Sequence, residues 1–153
     1  MRSVVALTAF TVTLTVTSCS TAPDKGARQA VSRFTCCLGH DVNRTYHPGD
    51  LVTLHWIRET SEAVAPSKPT ALTLTAHLDG AFARVADAKT RSAQGHNHVT
   101  ASPVHVTDRS LKAPISLLRI PAGAAPGLYN VTTKVAWPGG TESGGTIIRV
   151  TAR

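Results

Sequence analysis

The sequence predicts an all-β protein, a sandwich of two sheets with about seven short strands that follows an N-terminal signal segment. Its 153 residues are 42% hydrophobic but only 5% aromatic, which favours a thin core built from strands. Nine prolines and eleven glycines separate short apolar runs, as in all-β domains with many turns. Within those runs apolar and polar residues alternate, which is the period of a half-buried strand.

The first eighteen residues predict a signal peptide that takes no part in the fold. Arg2 supplies a single positive charge, and the apolar run 4–16 follows it. A run of about 13 residues is too short to cross a bilayer comfortably and is typical of the central region of a signal peptide.

Residues 16–19, Val-Thr-Ser-Cys, resemble the lipobox of bacterial lipoproteins. The resemblance implies cleavage before Cys19, a diacylglycerol on its thiol and a further acyl chain, such as palmitate, on the new amino terminus. Several acyl chains would hold the protein stably on the extracytoplasmic face of the cell membrane, whereas one chain holds only marginally. The alternative is an ordinary secretory signal cut nearby. The high content of Ala, Arg and Gly resembles actinobacterial proteins.

Residues 19–29 are predicted to be the lipidated cysteine and a tether. The stretch after Cys19 is polar and contains Pro23 and Gly26. Its eight or so residues reach at most roughly 25 Å. The predicted domain, residues 30–153, would therefore stay close to the membrane.

The net charge of +7 narrows the class of partner. A basic exported domain suits anionic lipid head groups or acidic envelope polymers. The Lys and Arg residues are dispersed and form no run of the kind that binds nucleic acid. The predicted partners are the lipid bilayer, reached through acylated Cys19, and an envelope protein or polymer, with nucleic acid excluded.

The first half of the domain predicts three strands organised around the stretch 47–57. Val52, Leu54 and Trp56 fall on one face of an extended chain. Trp56 is the largest apolar side chain in this half and should anchor the core. The three strands are expected at 30–38, 51–58 and 71–79, with a polar loop at 59–69.

Two further signals concern the middle of the chain. The pair Asp79-Gly80 is a strong turn signal and predicts a hairpin with a short return strand at 81–86. Pro103 demotes the run 99–107 to an edge strand or a bulged one, because proline cannot donate to a strand ladder.

The last third predicts three more strands. Tyr129 and Trp137 are expected on the inward face of the second of them. Gly144-Gly145 is expected in a flexible hairpin loop. The strands are placed at 115–120, 128–137 and 146–151, with turns at 121–127 and 138–140.

Residues 120–131 resemble the E–F corner and F strand of immunoglobulin-like domains. In that family a tyrosine marks the corner and its phenol is tied back to the backbone, and Tyr129 holds that place. Val131 stands where the family has a cysteine, so no inter-sheet disulfide is expected. The resemblance implies a single immunoglobulin-like sandwich over residues 30–153 and says nothing about a ligand.

Cys36 and Cys37 are the first candidates for chemistry. Their Cα atoms are expected to lie about 3.8 Å apart, below the roughly 4.4 Å minimum of ordinary disulfides, so a bridge between them would need a distorted local backbone. Two free thiols, a vicinal or intermolecular disulfide, and a metal site all stay open. For a metal site, two sulfurs and two imidazoles would be the right ligand types for zinc or copper. That set is Cys36, Cys37, His40 and His47.

The remaining histidines are predicted to face solvent rather than to form a binding site. His55 and His77 fall on the outward faces of their strands. His96 and His98 lie one residue apart in a polar stretch, without nearby carboxylates or thiols, and predict at most a weak site.

No enzyme signature is present, since the G-x-S-x-G, H-E-x-x-H and P-loop patterns do not occur. The sequence therefore predicts a non-catalytic binding or envelope-structural module without a cofactor. Its contact surface is expected at the polar loops 59–69 and 89–97. The alternative is an extracytoplasmic copper- or zinc-binding protein that uses the two cysteines and two histidines named above.

Overall fold

The computed structural model describes residues 28–64, 68–90 and 97–153. The predicted signal peptide, Cys19 and the tether as far as residue 27 lie outside the described residues. The described chain forms nine strands and two short helices. In chain order these are β1 (Arg28–Cys36), α1 (Gly39–Val42), β2 (Thr45–Tyr46), β3 (Leu51–Val64), β4 (Ala71–Phe82), α2 (Val85–Thr90), β5 (Asn97–Thr100), β6 (Val104–Thr107), β7 (Ile115–Arg119), β8 (Gly127–Trp137) and β9 (Gly140–Val150).

The described strands form two sheets. The smaller sheet has the order β1-β3-β7, and both of its pairs are antiparallel. The larger, curled sheet has the order β2-β9-β8-β4, and β5 and β6 pair one after the other along the same side of β4. The predicted all-β fold with two sheets is confirmed, although it has nine described strands instead of about seven.

Alternating side chains along β3 and β4 build the core. Val52, Leu54 and Trp56 are buried, as is every second residue of β4 from Leu72 to Leu78. Side chains alternate across a strand, so one face of each sheet fills the interior while the other carries polar residues. Residues from both sheets meet in the larger core cluster, which shows that this interior lies between the sheets.

Two aromatic residues hold polar contacts inside the core. Trp56 is 2% exposed, and its indole N–H donates to Ser116 Oγ at 2.9 Å. Tyr129 is 0% exposed, and its hydroxyl donates to the carbonyl of Ala125 at 2.8 Å. Each large side chain therefore has its polar atom paired, as buried Trp and Tyr require.

Trp137 lies outside the inward face expected for it. It ends β8 and is 38% exposed. A Cβ built on Gly140 would be 3.2 Å from its Cζ2, so the indole lies against the turn that joins β8 to β9. The inward-facing part of β8 has ended by residue 137, and the indole ring covers the hairpin between β8 and β9 instead.

The polar loop expected at 59–69 is mostly strand. β3 continues to Val64, and its second half pairs with β1, where Glu59 lies opposite Arg33. A continuous antiparallel ladder satisfies the backbone hydrogen-bonding groups of both strands. This gain outweighs the weak strand preference of a polar run. Residues 65–67 lie outside the described part of the chain.

The hairpin expected at Asp79-Gly80 is wrong. β4 runs through this pair to Phe82, and α2 follows instead of a return strand. Asp79 pairs with His98 on one side and with Asn130 on the other. Neighbouring strands therefore occupy both edges of the backbone at the position where the turn was predicted.

Two other expectations concern turns near glycine and proline. Gly144 and Gly145 lie within β9, opposite Thr133 and Thr132, so the flexible loop expected there is wrong. The edge position expected around Pro103 is confirmed, because the run divides into β5 and β6 and the described pairings of both are with β4 alone.

The two described helices are short. They have four and six residues, and neither is long or apolar enough to cross a membrane. α1 is a single turn between β1 and β2, and it carries two of the three residues from which the site is built.

Candidate functional site

The structure does not assemble the four residues expected to bind zinc or copper. Cys36 and Cys37 are joined to each other by a disulfide, so neither offers a thiolate. His47 turns to Asp50, with its Nδ1 3.5 Å from Asp50 Oδ2. His40 contacts a different carboxylate. The ligand set drawn from the sequence is therefore divided among three separate groups of contacts.

The disulfide between Cys36 and Cys37 is the vicinal bridge among the alternatives left open by the sequence. The peptide bond between the two residues is cis, and their Cα atoms are 3.1 Å apart. Cys36 ends β1 opposite Trp56 of β3, and both cysteines pack against the core. The disulfide lies at the end of β1, just before α1.

A cluster of three side chains follows the disulfide: His40, Asp41 and His55. One carboxylate oxygen of Asp41, Oδ1, lies 2.8 Å from His55 Nδ1 and 3.1 Å from His40 Nε2. The ligand atoms of the three residues all lie within 4.8 Å of one another. The two imidazole rings are tilted by 55°, with centroids 5.4 Å apart.

Backbone groups fix the carboxylate of Asp41. Its second oxygen, Oδ2, accepts hydrogen bonds from the N–H of Leu38 at 3.2 Å and from the N–H of His55 at 2.8 Å. The first bond closes the turn of α1, and the second ties that turn to β3. The carbonyl of Asp41 also accepts from the buried hydroxyl of Tyr46. Oδ1 is therefore the oxygen presented to the two histidines.

The cluster places a buried anion beneath two accessible imidazoles. The side chain of Asp41 is 1% exposed, whereas those of His40 and His55 are 70% and 40% exposed. Burial alone would raise the pKa of the Asp41 carboxyl. The N–H and imidazole of His55, with the charges of both histidines, outweigh burial and hold the pKa below its ordinary value.

Comparison with other proteins leaves the role of this cluster open. No protein-family model, no curated protein and no solved structure matches the chain.

The chemistry open to the cluster follows from its donor atoms. Two imidazole nitrogens and a carboxylate oxygen are ligands that divalent first-row metals accept. None of the described hydrogen bonds of His40, Asp41 and His55 involves the side chain of a Ser, Thr or Cys. The donor atoms therefore suit the binding of a cation.

A second histidine group lies on β4 and β5. His98 Nδ1 is 2.6 Å from Asp79 Oδ1, and His98 Nε2 is 3.2 Å from Thr100 Oγ1. The same hydroxyl is 2.9 Å from His77 Nδ1, and the two imidazole rings stack with centroids 5.6 Å apart. Both ring nitrogens of His98 are used within this network. His96, its expected companion, lies outside the described residues.

The two loops expected as contact surfaces are in large part strand or lie outside the described residues. Residues 59–64 belong to β3, residues 91–96 lie outside the described part, and Asn97 begins β5. A separate cleft of about 230 Å³ lies between the sheets, where Phe34 and Trp56 face Val135.

Sequence reasoning misses Asp41 and His55 as members of one site. They are 14 positions apart and meet only because α1 folds back against β3. The outward position expected for His55 gives no indication of its partner. A signal for Asp41 did exist, since an acidic residue at the third position of a helical turn is typical of a capping box.

Proposed function

We propose that this chain is a membrane-anchored extracytoplasmic lipoprotein, a non-catalytic module that binds a partner in the cell envelope or supports envelope structure. The observation that carries the proposal is the short distance between the lipobox-like residues 16–19 and the first strand, which begins at Arg28. At about 3.3 Å per residue, acyl chains on Cys19 would keep that strand within roughly 30 Å of the membrane.

The finer part of the proposal is that the sandwich is immunoglobulin-like. The strand order supports it: β1-β3-β7 corresponds to strands A, B and E, and β9-β8-β4-β5 corresponds to G, F, C and C′. The phenol of Tyr129, bonded to the carbonyl of Ala125, matches the tyrosine corner that marks the family. Two departures stand beside this support. Val131 replaces the F-strand cysteine, and the buried Trp56 is on β3 rather than on β4.

The class of partner follows from charge and accessibility. The whole chain carries a net charge of +7, which favours acidic polymers or anionic head groups of the envelope. The accessible imidazoles of His40 and His55, both in contact with the buried Asp41, form a preorganised polar surface. Contact through this surface replaces the expectation of contact through the loop 59–69.

Replacing Cys19 by serine tests the anchor. The wild-type chain should incorporate labelled palmitate and fractionate with membranes, and Cys19→Ser should lose both properties. The double variant Cys36→Ser/Cys37→Ser is the matched control and should keep both, because it alters cysteines outside the lipobox. Palmitate label that survives Cys19→Ser would overturn the proposal.

Recovery of the lipidated chain from its own envelope tests the binding role separately. After mild cross-linking, one envelope protein or polymer should be retained in a fixed ratio to the chain. Recovery of lipid alone would contradict the binding role while leaving the anchor intact.

A further inference from the structure

The starting observation is a buried carboxylate whose described side-chain partners are two imidazoles. Asp41 is almost inaccessible, yet its Oδ1 faces His55 Nδ1 at 2.8 Å and His40 Nε2 at 3.1 Å. A buried charge is costly unless it is paired and hydrogen-bonded. A divalent cation held between the three donor atoms would supply that pairing to the carboxylate.

The second observation is that the carboxylate is held in place without the help of any ligand. The backbone N–H groups of Leu38 and His55 bind Oδ2, and Tyr46 binds the carbonyl of Asp41. His55 itself is on β3, where it lies opposite Ile115 of β7. Two of the three donor atoms are thus positioned by sheet and turn backbone, as preorganised metal sites require.

The third observation is the separation of the donor atoms. A tetrahedral zinc ion bound at about 2.0–2.2 Å keeps its ligand atoms about 3.3–3.5 Å apart. The distances from Oδ1, 2.8 and 3.1 Å, are shorter than that range by about half an ångström or less, and the whole set lies within 4.8 Å. The exposed ring of His40 can close the remaining gap by a small rotation.

We propose that His40 Nε2, Asp41 Oδ1 and His55 Nδ1 bind one divalent transition-metal ion of the zinc or copper class. The exposed imidazoles leave a further coordination position open to water or to a donor from another molecule. In the metal-free chain the Nδ1–H of His55 donates a hydrogen bond to the carboxylate, since an ionised carboxylate only accepts. When the metal binds, the proton of His55 lies on its Nε2 and that of His40 on its Nδ1, so both ligating nitrogens are free, and no oxidation or reduction is involved.

This site differs from the cysteine-containing one expected from the sequence. Its ligands are nitrogen and oxygen, and the disulfide between Cys36 and Cys37 takes no part as a ligand. The site belongs to the folded domain, so it does not depend on lipid at Cys19 or on the location of the protein. Failure of the lipoprotein proposal would leave it standing.

The experiment is calorimetric titration of the full-length chain in detergent, first stripped of metal with EDTA, with Zn²⁺ and then with Cu²⁺ as probes. We expect one equivalent of bound ion per chain. His40→Ala and His55→Ala should each lower the affinity at least about 10-fold, the scale of losing a metal-site residue. His40 is the safer position to change because its side chain is 70% exposed.

Two matched controls keep the result specific. His98→Ala removes an imidazole from another His–Asp contact, that with Asp79, and should bind the ion as the wild type does. Cys36→Ser/Cys37→Ser should also retain binding. Ion addition should raise the thermal unfolding midpoint of the wild type and of His98→Ala, but not that of His40→Ala.

Several outcomes would overturn the proposal. One is the absence of binding by the wild type to either ion. Another is stoichiometric binding that His40→Ala and His55→Ala leave unchanged. A third is binding that is lost in Cys36→Ser/Cys37→Ser but kept in His40→Ala, which would return the site to sulfur ligands.

Discussion

The ring of Tyr129 lies directly against Gly80. A β-carbon built on Gly80 would be 2.3 Å from Cδ1 and 2.5 Å from Cγ of that ring. The ring is fully buried and its hydroxyl is held by the carbonyl of Ala125, so it has little room to move aside. Gly80, near the end of β4, therefore allows the close approach of a side chain, which is one of the few reasons for glycine inside a strand.

Adding a methyl group at this contact should destabilise the fold. Gly80→Ala is expected to lower the free energy of unfolding by about 1–3 kcal/mol, the usual range for overpacking a core. Urea unfolding followed by tryptophan fluorescence measures it. Gly123→Ala is the control, because no atom lies within 4 Å of its added carbon, and it should change stability by less than about 0.5 kcal/mol. Equal stability of the two variants would contradict the packing argument.

The stability of the fold should depend on the hydrogen bond between the buried indole of Trp56 and the hydroxyl of Ser116. Ser116→Ala removes the acceptor of the Trp56 N–H and leaves a buried donor unpaired, which costs about 1–3 kcal/mol. Thermal unfolding followed by circular dichroism is the suitable readout, because it does not depend on indole fluorescence. The exposed Ser102→Ala is the matched control and should be neutral. A Ser116→Ala variant as stable as this control would show that the indole finds another partner.

Alkaline pH should weaken the fold through Tyr129. Burial raises the pKa of this phenol above its ordinary value of 10.0, although a hydrogen bond from Asn97 acts in the opposite direction. As pH rises, the unfolded chain loses this proton before the folded chain does. The stability that this group contributes is therefore complete below pH 10 and is lost as pH rises through the folded pKa.

Absorbance of the phenolate checks this directly. The chain has two tyrosines, so Tyr46→Phe leaves Tyr129 as the single phenol. Phenolate absorbance should appear only above pH 10 in the folded variant and near pH 10 in denaturant. A folded midpoint at or below the denatured one would be inconsistent with the buried, hydrogen-bonded phenol.

The number of free thiols should show whether the disulfide is formed and whether Cys19 carries a lipid. The chain has three cysteines, and Cys36 and Cys37 are bonded to each other. If Cys19 carries a lipid, the denatured protein should react with no maleimide before reduction and with two after it. An unlipidated chain should react with one and then three. A covalent dimer of Cys19→Ser on a non-reducing gel would contradict the bridge within the chain.

Local patterns predicted the core strands well. The alternation of Val52, Leu54 and Trp56 predicted which face of β3 is buried, and Leu72 to Leu78 did the same for β4. These predictions hold because the period of a strand is a property of adjacent residues. The hairpin at Asp79-Gly80 fails for the opposite reason. Turn preference is weak beside the two neighbouring strands that pair there.

The site could be predicted only in part. The sequence makes His40 a candidate ligand, but it joins Cys36, Cys37 and His47 to the same site only because they are close along the chain. The disulfide leaves neither cysteine with a thiolate to bind a metal, and the imidazole of His47 contacts Asp50. Asp41 and His55 meet across 14 residues through backbone contacts that no sequence pattern records.

The all-β class and the inward faces of β3 and β4 follow from the sequence, because each depends on neighbours within a few residues. The contact of His55 with Asp41, the position of Gly80 beneath a buried ring and the extension of β3 to Val64 arise with the tertiary fold. Those features depend on which distant segments come together. That choice is made by the packing of both sheets against a shared interior, and it overrides the weaker preferences of single residues.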